Sequence, residues 1–356
     1  TGYGNKELWT RWAKESIVRW KAWDEEWGKV WSHRLFTNTG DLILREDWEP
    51  FLTDTRQTWE KVGVRHEVLS HDEIRYRYPQ INSEGIGVAL YEPDAGVGRA
   101  RMACLTVAEA FRRQGGEIVI ARAALGRRAK ERLEEIDLSP GKSLGGKTFV
   151  FALGPWLSQF FPEILGDRLR TPLGHVFYYA TPPGDSRFTH PNLPSYNFPG
   201  VTGWPALGHD NRGFRVRTGG RPPSDPDISD RWVDSTFFEQ PRKLLVERFP
   251  DLKEVPLLET RACHYELSSS RNFIVDRHPE FGNVWIAGGG SAEGFKFGPV
   301  IGQYIAERVM GVDRNPALAA EFKLPTETFD RVSLQRSMDP GAFLFSYGPP
   351  VSVGSA

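Results

Sequence analysis

The stretch Asn283-Val-Trp-Ile-Ala-Gly-Gly-Gly-Ser-Ala-Glu-Gly-Phe-Lys-Phe-Gly-Pro-Val-Ile-Gly302 decides how the chain is read. Val284 to Ala287 is a short apolar strand. Three glycines and a turn holding one lysine follow, and a helical pattern runs from about Pro299 to Gly311. A strand, a glycine turn and a helix N-terminus together present backbone N–H groups and a cation to something anionic or electron-rich. Just upstream lie Arg261-Ala-Cys-His-Tyr265 and Phe273-Ile-Val-Asp-Arg-His-Pro279.

The rest of the chain bounds what this unit serves. Its 356 residues hold two domains or one large domain with an insertion. The net charge of −1, with both signs mixed along the sequence, gives no footprint for nucleic acid or an anionic membrane. No apolar run approaches the roughly 18 residues of a membrane-spanning helix. Cys104 and Cys263 form one disulfide at most, so a reducing, cytoplasmic setting is the default. The chain starts at Thr1 and runs almost directly into a helix, which reads as a cut or processed start.

Trp9, Trp12, Ile17, Trp20, Trp23, Trp27 and Val30 share helical spacing and predict one core-facing helix over 7–32 rather than an aromatic cage. Strands are expected at 41–44 and 67–69, and helices over 48–62 and after the cap Ser70 with its Asp72-Glu73. A helix over 101–114, a Gly115-Gly116 stop and the strand Glu117-Ile-Val-Ile120 predict a crossover onto a parallel sheet. Thr148 to Leu153 reads as a fully apolar strand, turned out by Gly154-Pro-Trp156. From 171 to 259 proline, glycine and aromatics are dense, strands alternate, and a helix is expected over 232–248. That block reads as a mostly antiparallel domain inserted into the first.

Several stretches together resemble the flavin-dependent amine oxidase family that includes monomeric sarcosine oxidase, fructosyl-amino-acid oxidases and D-amino-acid oxidase. They are Thr39-Gly40, Tyr91-Glu-Pro-Asp-Ala-Gly-Val97, Leu153-Gly-Pro-Trp156, Gly213-Phe-Arg-Val216, the Cys-x-Tyr of 263–265, the Asp-x-His-Pro of 276–279 and Gly294-Phe-Lys-Phe-Gly298. They fall in family order over most of residues 3–311. The resemblance implies an α/β plus α+β fold, a Rossmann-like FAD-binding domain carrying an inserted antiparallel-sheet substrate domain. It assigns 1–35, 93–168 and 263–328 to the FAD domain, 36–92 and 169–262 to the substrate domain, and 329–356 to a surface tail.

The same resemblance implies FAD as cofactor, with Cys263 as its thioether tether in preference to an inert buried cysteine. Such a thiol needs electropositive surroundings, and Arg261 and His264 are close in sequence. Gly154, Trp156, Gly288, Gly289, Gly290, Gly294 and Phe295 are implied to face the cofactor. Lys296 is implied to hold the substrate carboxylate, against the bland reading of a loop lysine. Glu293 stands where relatives carry a histidine; an acid there suits a cationic substrate but works against Lys296. Arg215 stands where a lysine is linked to oxygen activation, so a different electron acceptor becomes a live option. A solvated strand face with Arg215 and Arg217 is its rival reading. His175 is expected to line the site, and His278 to be structural.

The family's opening G-x-G-x-x-G unit has no counterpart in residues 1–35. Thr1-Gly-Tyr-Gly4 resembles the stretch just after an arginine that pairs with substrate carboxylate. The expectation is therefore a fragment that holds FAD poorly by itself. The function expected is oxidation of the C–N bond of an amino acid or N-substituted amino acid, with a small amine substrate and either a monomer or a hetero-complex with another flavoprotein chain. The rival is a degenerate, non-catalytic subunit of a flavoprotein complex. A nicotinamide enzyme lacks any complete fingerprint.

Overall fold

The computed structural model describes residues 2–31, 34–208 and 212–329. The expected tail lies outside them from residue 330 onward.

The tryptophan stripe forms α1 (Glu7–Trp23), which buries Trp12, Ile17 and Trp20. It does not continue to residue 32 as one α-helix. Asp24–Gly28 widens into a π turn, and the buried Asp24 carboxylate at its start is taken by the N–H groups of Leu35 and Phe36 and by Arg34. Next come β1 (Asp41–Arg45), α2 (Pro50–Val62), β2 (Glu67–Ser70), α3 (His71–Arg77) and β3 (Val88–Glu92). α3 starts at the expected cap. The Ser70 side chain accepts from the Glu73 N–H, and the Glu73 carboxylate accepts from the Ser70 N–H, a reciprocal box that stabilises by about 1 kcal/mol.

α4 (Ala100–Arg113) follows, but the strand expected at Glu117–Ile120 is not formed. A strand exists only through a neighbour's hydrogen bonds, and among the described residues none runs beside 117–120; Ile120 is 95% exposed. The charged block after it makes a small antiparallel sheet from Arg122–Leu125, Glu135–Ser139 and Lys142–Gly145. β4 (Phe149–Phe151) uses part of its apolar run, with Val150 44% exposed.

Then come β5 (Leu173–Tyr179), β6 (Ser195–Phe198), β7 (Val201–Trp204), β8 (Phe214–Arg221) and α5 (Glu239–Arg248). α5 begins after a 3-10 turn at Ser235–Phe237, later than expected. β9 (Leu257–His264), β10 (Ile274–Arg277), β11 (Val284–Gly288), α6 (Gly298–Val309) and α7 (Pro316–Glu321) close the order.

Two sheets position the site. The large one runs β9-β5-β8-β7-β6-β1-β3-β2, antiparallel throughout except for the parallel β6 and β1. The small one places β11 between a parallel β4 and an antiparallel β10. Strand period two sorts the large sheet's faces. Leu173, Phe177 and Tyr179 of β5 join Phe214 and Val216 of β8 in the core beneath α5. Gly174, Val176 and Tyr178, with Arg215, Arg217, Arg261 and Cys263, take the other face by register. His175 therefore does not line that face. It is fully buried on the core side, its ring 4.4 Å from that of Phe237.

Candidate active site

The decisive stretch folds as read. β11 is buried through Val284–Ala287, the chain turns at 289–293, makes a 3-10 turn at Gly294–Phe297 and enters α6 with Pro299 in its first turn. Gly289 has φ +72°, and Ser291 and Ala292 also sit in the left-handed region at +43° and +68°, which L side chains adopt at some cost in strain. The α1 stripe fixes the turn from behind. Trp20 stacks on Phe295 with ring centroids 5.3 Å apart, and its Nε1 donates to the Lys296 carbonyl at 3.0 Å.

Lys296 meets Glu293 at 2.6 Å and lies over the Tyr3 ring at 4.9 Å. The Tyr3 hydroxyl donates to Asp41 Oδ2 at 2.9 Å, and Ser195 donates to Asp41 Oδ1 at 2.7 Å. Burial, followed by the neighbouring Asp41, pushes the Tyr3 hydroxyl well above the usual phenol range, and burial also raises the Asp41 carboxyl. Sequence reasoning missed Tyr3, Asp41 and Ser195. They come from the N-terminal arm and from the β1–β6 pair, where Ser195 is Asp41's register partner; no local motif marks them.

Arg215 is neither solvated nor free on a strand face. It is buried, its guanidinium carbon 3.7 Å from the Trp204 ring centroid, and its register neighbours are Tyr178 and Trp204. Burial lowers it to about 10. Arg217 reaches across Gly174: a Cβ there would lie 3.5 Å from its Nη2. Gly174 pairs with Cys263, whose thiol is exposed. The two cations expected there are engaged elsewhere. His264 turns inward, its Nδ1 2.8 Å from the Thr171 carbonyl and its Nε2 2.5 Å from Ser229 Oγ, and burial lowers it. Arg261 pairs with Glu259.

Gly154 (φ +56°) and Trp156 lie past the end of β4, with Trp156 Nε1 donating to Asp227 at 2.7 Å. Leu157 carries this turn against β11, since a Cβ on Gly288 would come within 2.3 Å of its Cδ1. Gly288, Gly289 and Gly290 thus serve close approaches inside the protein. The N–H groups of Gly289 and Gly290 are taken by Glu266, which sequence reasoning did not single out. Its Oε1 is buried with no partner among the described residues. The glycine turn itself lies at the carboxyl end of β11 beside the parallel β4, with Lys296 on it, a place in α/β sheets that fits a polar ligand such as a flavin. No helix among the described residues is long and apolar enough to cross a membrane.

Comparison with known proteins gives one picture. The sequence pattern of the DAO family, described as FAD dependent oxidoreductase, matches residues 1–308. The chain is 26% identical over 331 residues to peroxisomal sarcosine oxidase of Homo sapiens, covering 86% of this chain and 78% of that one. It is 24% identical to N-methyl-L-tryptophan oxidase of Salmonella dublin, covering 80% and 77%. Among solved structures, fructosyl peptide oxidase from Aspergillus nidulans superposes with a TM-score of 0.75 at 17% identity, covering 94% of this chain and 83% of that one. L-proline dehydrogenase from P. horikoshii gives 0.73 at 19% identity, covering 90% and 86%.

Proposed function

Because the chain belongs to the DAO family of FAD-dependent oxidoreductases, we propose that it oxidises the C–N bond of an amino acid or N-substituted amino acid to an imine. FAD supplies the hydride acceptor. The observation that carries the substrate class is the Lys296–Glu293 pair, which offers both signs of charge 2.6 Å apart on the glycine turn. A zwitterion is its complement: Lys296 takes the substrate carboxylate, and Glu293 takes the amine. Tyr3, fastened to Asp41, backs the Lys296 ammonium. Arg215, held by Trp204 and Tyr178, adds fixed positive charge on the sheet face. Cys263 is the proposed tether for the flavin.

We take 36–92 and 169–262 as the substrate domain and the remaining pieces as the FAD domain. Two unpaired cysteines support a reducing compartment such as the cytoplasm, and a monomer is the simplest assembly. The intact Gly294–Phe297 turn and the charged pair on it speak for an enzyme rather than a non-catalytic subunit.

The test is product analysis with FAD and an electron-accepting dye, run in parallel with oxygen. Sarcosine, other N-alkyl amino acids and cyclic imino acids are offered. The expected products are a carbonyl compound and an amine (or the ring-opened equivalent), with one two-electron equivalent reaching the acceptor per substrate consumed. Consumption of none of these substrates counts against the proposal.

A further inference from the structure

Arg217 has no part in the chemistry above. Across β8, β5 and β9 its sheet face carries Arg212, Arg215, Arg217 and Arg261 against one carboxylate, Glu259. That carboxylate is already shared. Arg212 takes both its oxygens at 3.1 Å, and Arg261 pairs with one of them. Arg215 has the Trp204 ring and the Tyr178 hydroxyl. Among the described residues Arg217 donates no hydrogen bond and pairs with no carboxylate.

An arginine at a protein's rim is normally left to water. Arg217 is instead half-buried and drawn in over the bare backbone of β5. Its Nη2 and Nε lie 3.5 and 3.6 Å from the place a Cβ on Gly174 would occupy, and Tyr265 Cε1 lies 3.8 Å from the same point. Tyr265 ties that spot to the glycine turn. The next residue, Glu266, accepts from the Ala292 N–H on its main-chain carbonyl at 3.1 Å and from the Gly289 N–H on its carboxylate at 3.1 Å. Glu293 and Lys296 follow on that turn. The spot is open to a ligand, with Val176, Thr202 and Tyr265 half-buried and Arg261 exposed. The repulsion within the face is felt at Arg215. Burial first, then the like charge of Arg217, hold it below the ordinary guanidinium range, at about 10. An anion beside the two arginines relieves that repulsion, and a carboxylate matches the planar fork of Arg217.

We propose that Arg217 is a specificity residue that binds a second carboxylate of the substrate, beyond the one held by Lys296. The preferred substrate is then an amino acid with a second acid group, on its N-substituent or on its side chain. The proposal rests on the C–N oxidation reading, with the Lys296–Glu293 pair holding the amino-acid end.

Initial rates are measured with FAD and an electron-accepting dye on two matched pairs. Iminodiacetate against sarcosine puts the second acid on the N-substituent; N-methylglutamate against N-methylalanine puts it on the side chain. One dicarboxylate is expected to exceed its partner in kcat/KM by about 10- to 100-fold, and the pair that shows this identifies the source. Arg217→Gln is expected to bring that ratio to within about threefold of one, mostly through KM, and Arg217→Glu to invert it. Calorimetry with the thioether analogues of all four, in which sulfur replaces nitrogen and no C–N bond can be oxidised, reads binding without turnover. The same pair should show the same preference there and lose it in Arg217→Gln. Equal kcat/KM within both pairs, or a preference that survives Arg217→Gln, overturns the proposal. So does a fall shared by both members of a pair, which marks a merely structural arginine. If none of the four substrates is consumed, the oxidation reading falls and calorimetry decides alone. A thioether dicarboxylate bound more tightly through Arg217 then upholds the carboxylate site, and none bound more tightly than its partner overturns it.

Discussion

Replacing Lys296 with methionine is expected to lower kcat/KM for an amino-acid substrate by roughly 100-fold, most of it through KM. A charged hydrogen bond to a carboxylate contributes about 1.5–3 kcal/mol, which is about 10- to 100-fold in affinity. The upper end applies because the loss is double. Lys296 is also the partner of Glu293 at 2.6 Å, so its removal leaves an uncompensated carboxylate beside the incoming one, with Asp41 close behind. Glu293→Gln is expected to raise KM by less, since the charged contact to the amine is lost while Lys296 is released from its internal competitor. Steady-state kinetics on both variants check this. KM and kcat/KM within threefold of the parent for Lys296→Met would show that the lysine does not meet the substrate.

The second large effect concerns stability. His175 is fully buried among Phe177 and Phe237, and neither ring nitrogen has a partner among the described residues. Burial, helped by nearby Arg221, lowers it from 6.5 to about 4. The folded pKa is depressed, so the unfolded chain binds the proton first as pH falls. The contribution is complete above pH 6.5 and is lost between 6.5 and 4, by about 3 kcal/mol in total. Other buried groups titrate too; Glu266, raised by burial, works in the opposite direction. The comparison is therefore made against His175→Leu. The variant should be at least as stable at pH 7, because two unsatisfied nitrogens are gone, and its advantage should widen by about 3 kcal/mol by pH 4. Denaturant midpoints across that range measure it, and parallel profiles for the two proteins would refute it.

His175 also shows what the sequence contains and what is easily overlooked. Leu173, His175, Phe177 and Tyr179 share one strand face, and three of the four are large and apolar. Alternation alone places the histidine in the core, whereas family resemblance drew it toward the site. Where information is local, the reading holds: the apolar run, glycines and helical pattern of 284–309 make a strand, turn and helix, and Ser70 with Glu73 makes its box. Where information is tertiary, it fails. Residues 117–120 have the composition of a strand but no neighbour among the described residues. Arg215, with a solvated strand face as its rival reading, is buried against the Trp204 ring with Tyr178 as its register neighbour. Asp41, Tyr3 and Glu266 act across distances no motif spans, and His264, next to Cys263 in sequence, turns inward to Thr171 and Ser229.

The central claim is that this chain draws a hydride from the carbon next to an amino-acid nitrogen into FAD. Its most direct measurement is an anaerobic titration of the FAD-loaded protein with sarcosine, other N-alkyl amino acids and cyclic imino acids, followed by the flavin absorbance. The account predicts that at least one bleaches the oxidised band fully, more slowly when its α-hydrogens are deuterium, and that Lys296→Met needs far more substrate to do so. A flavin that binds but is bleached by none of them would contradict it.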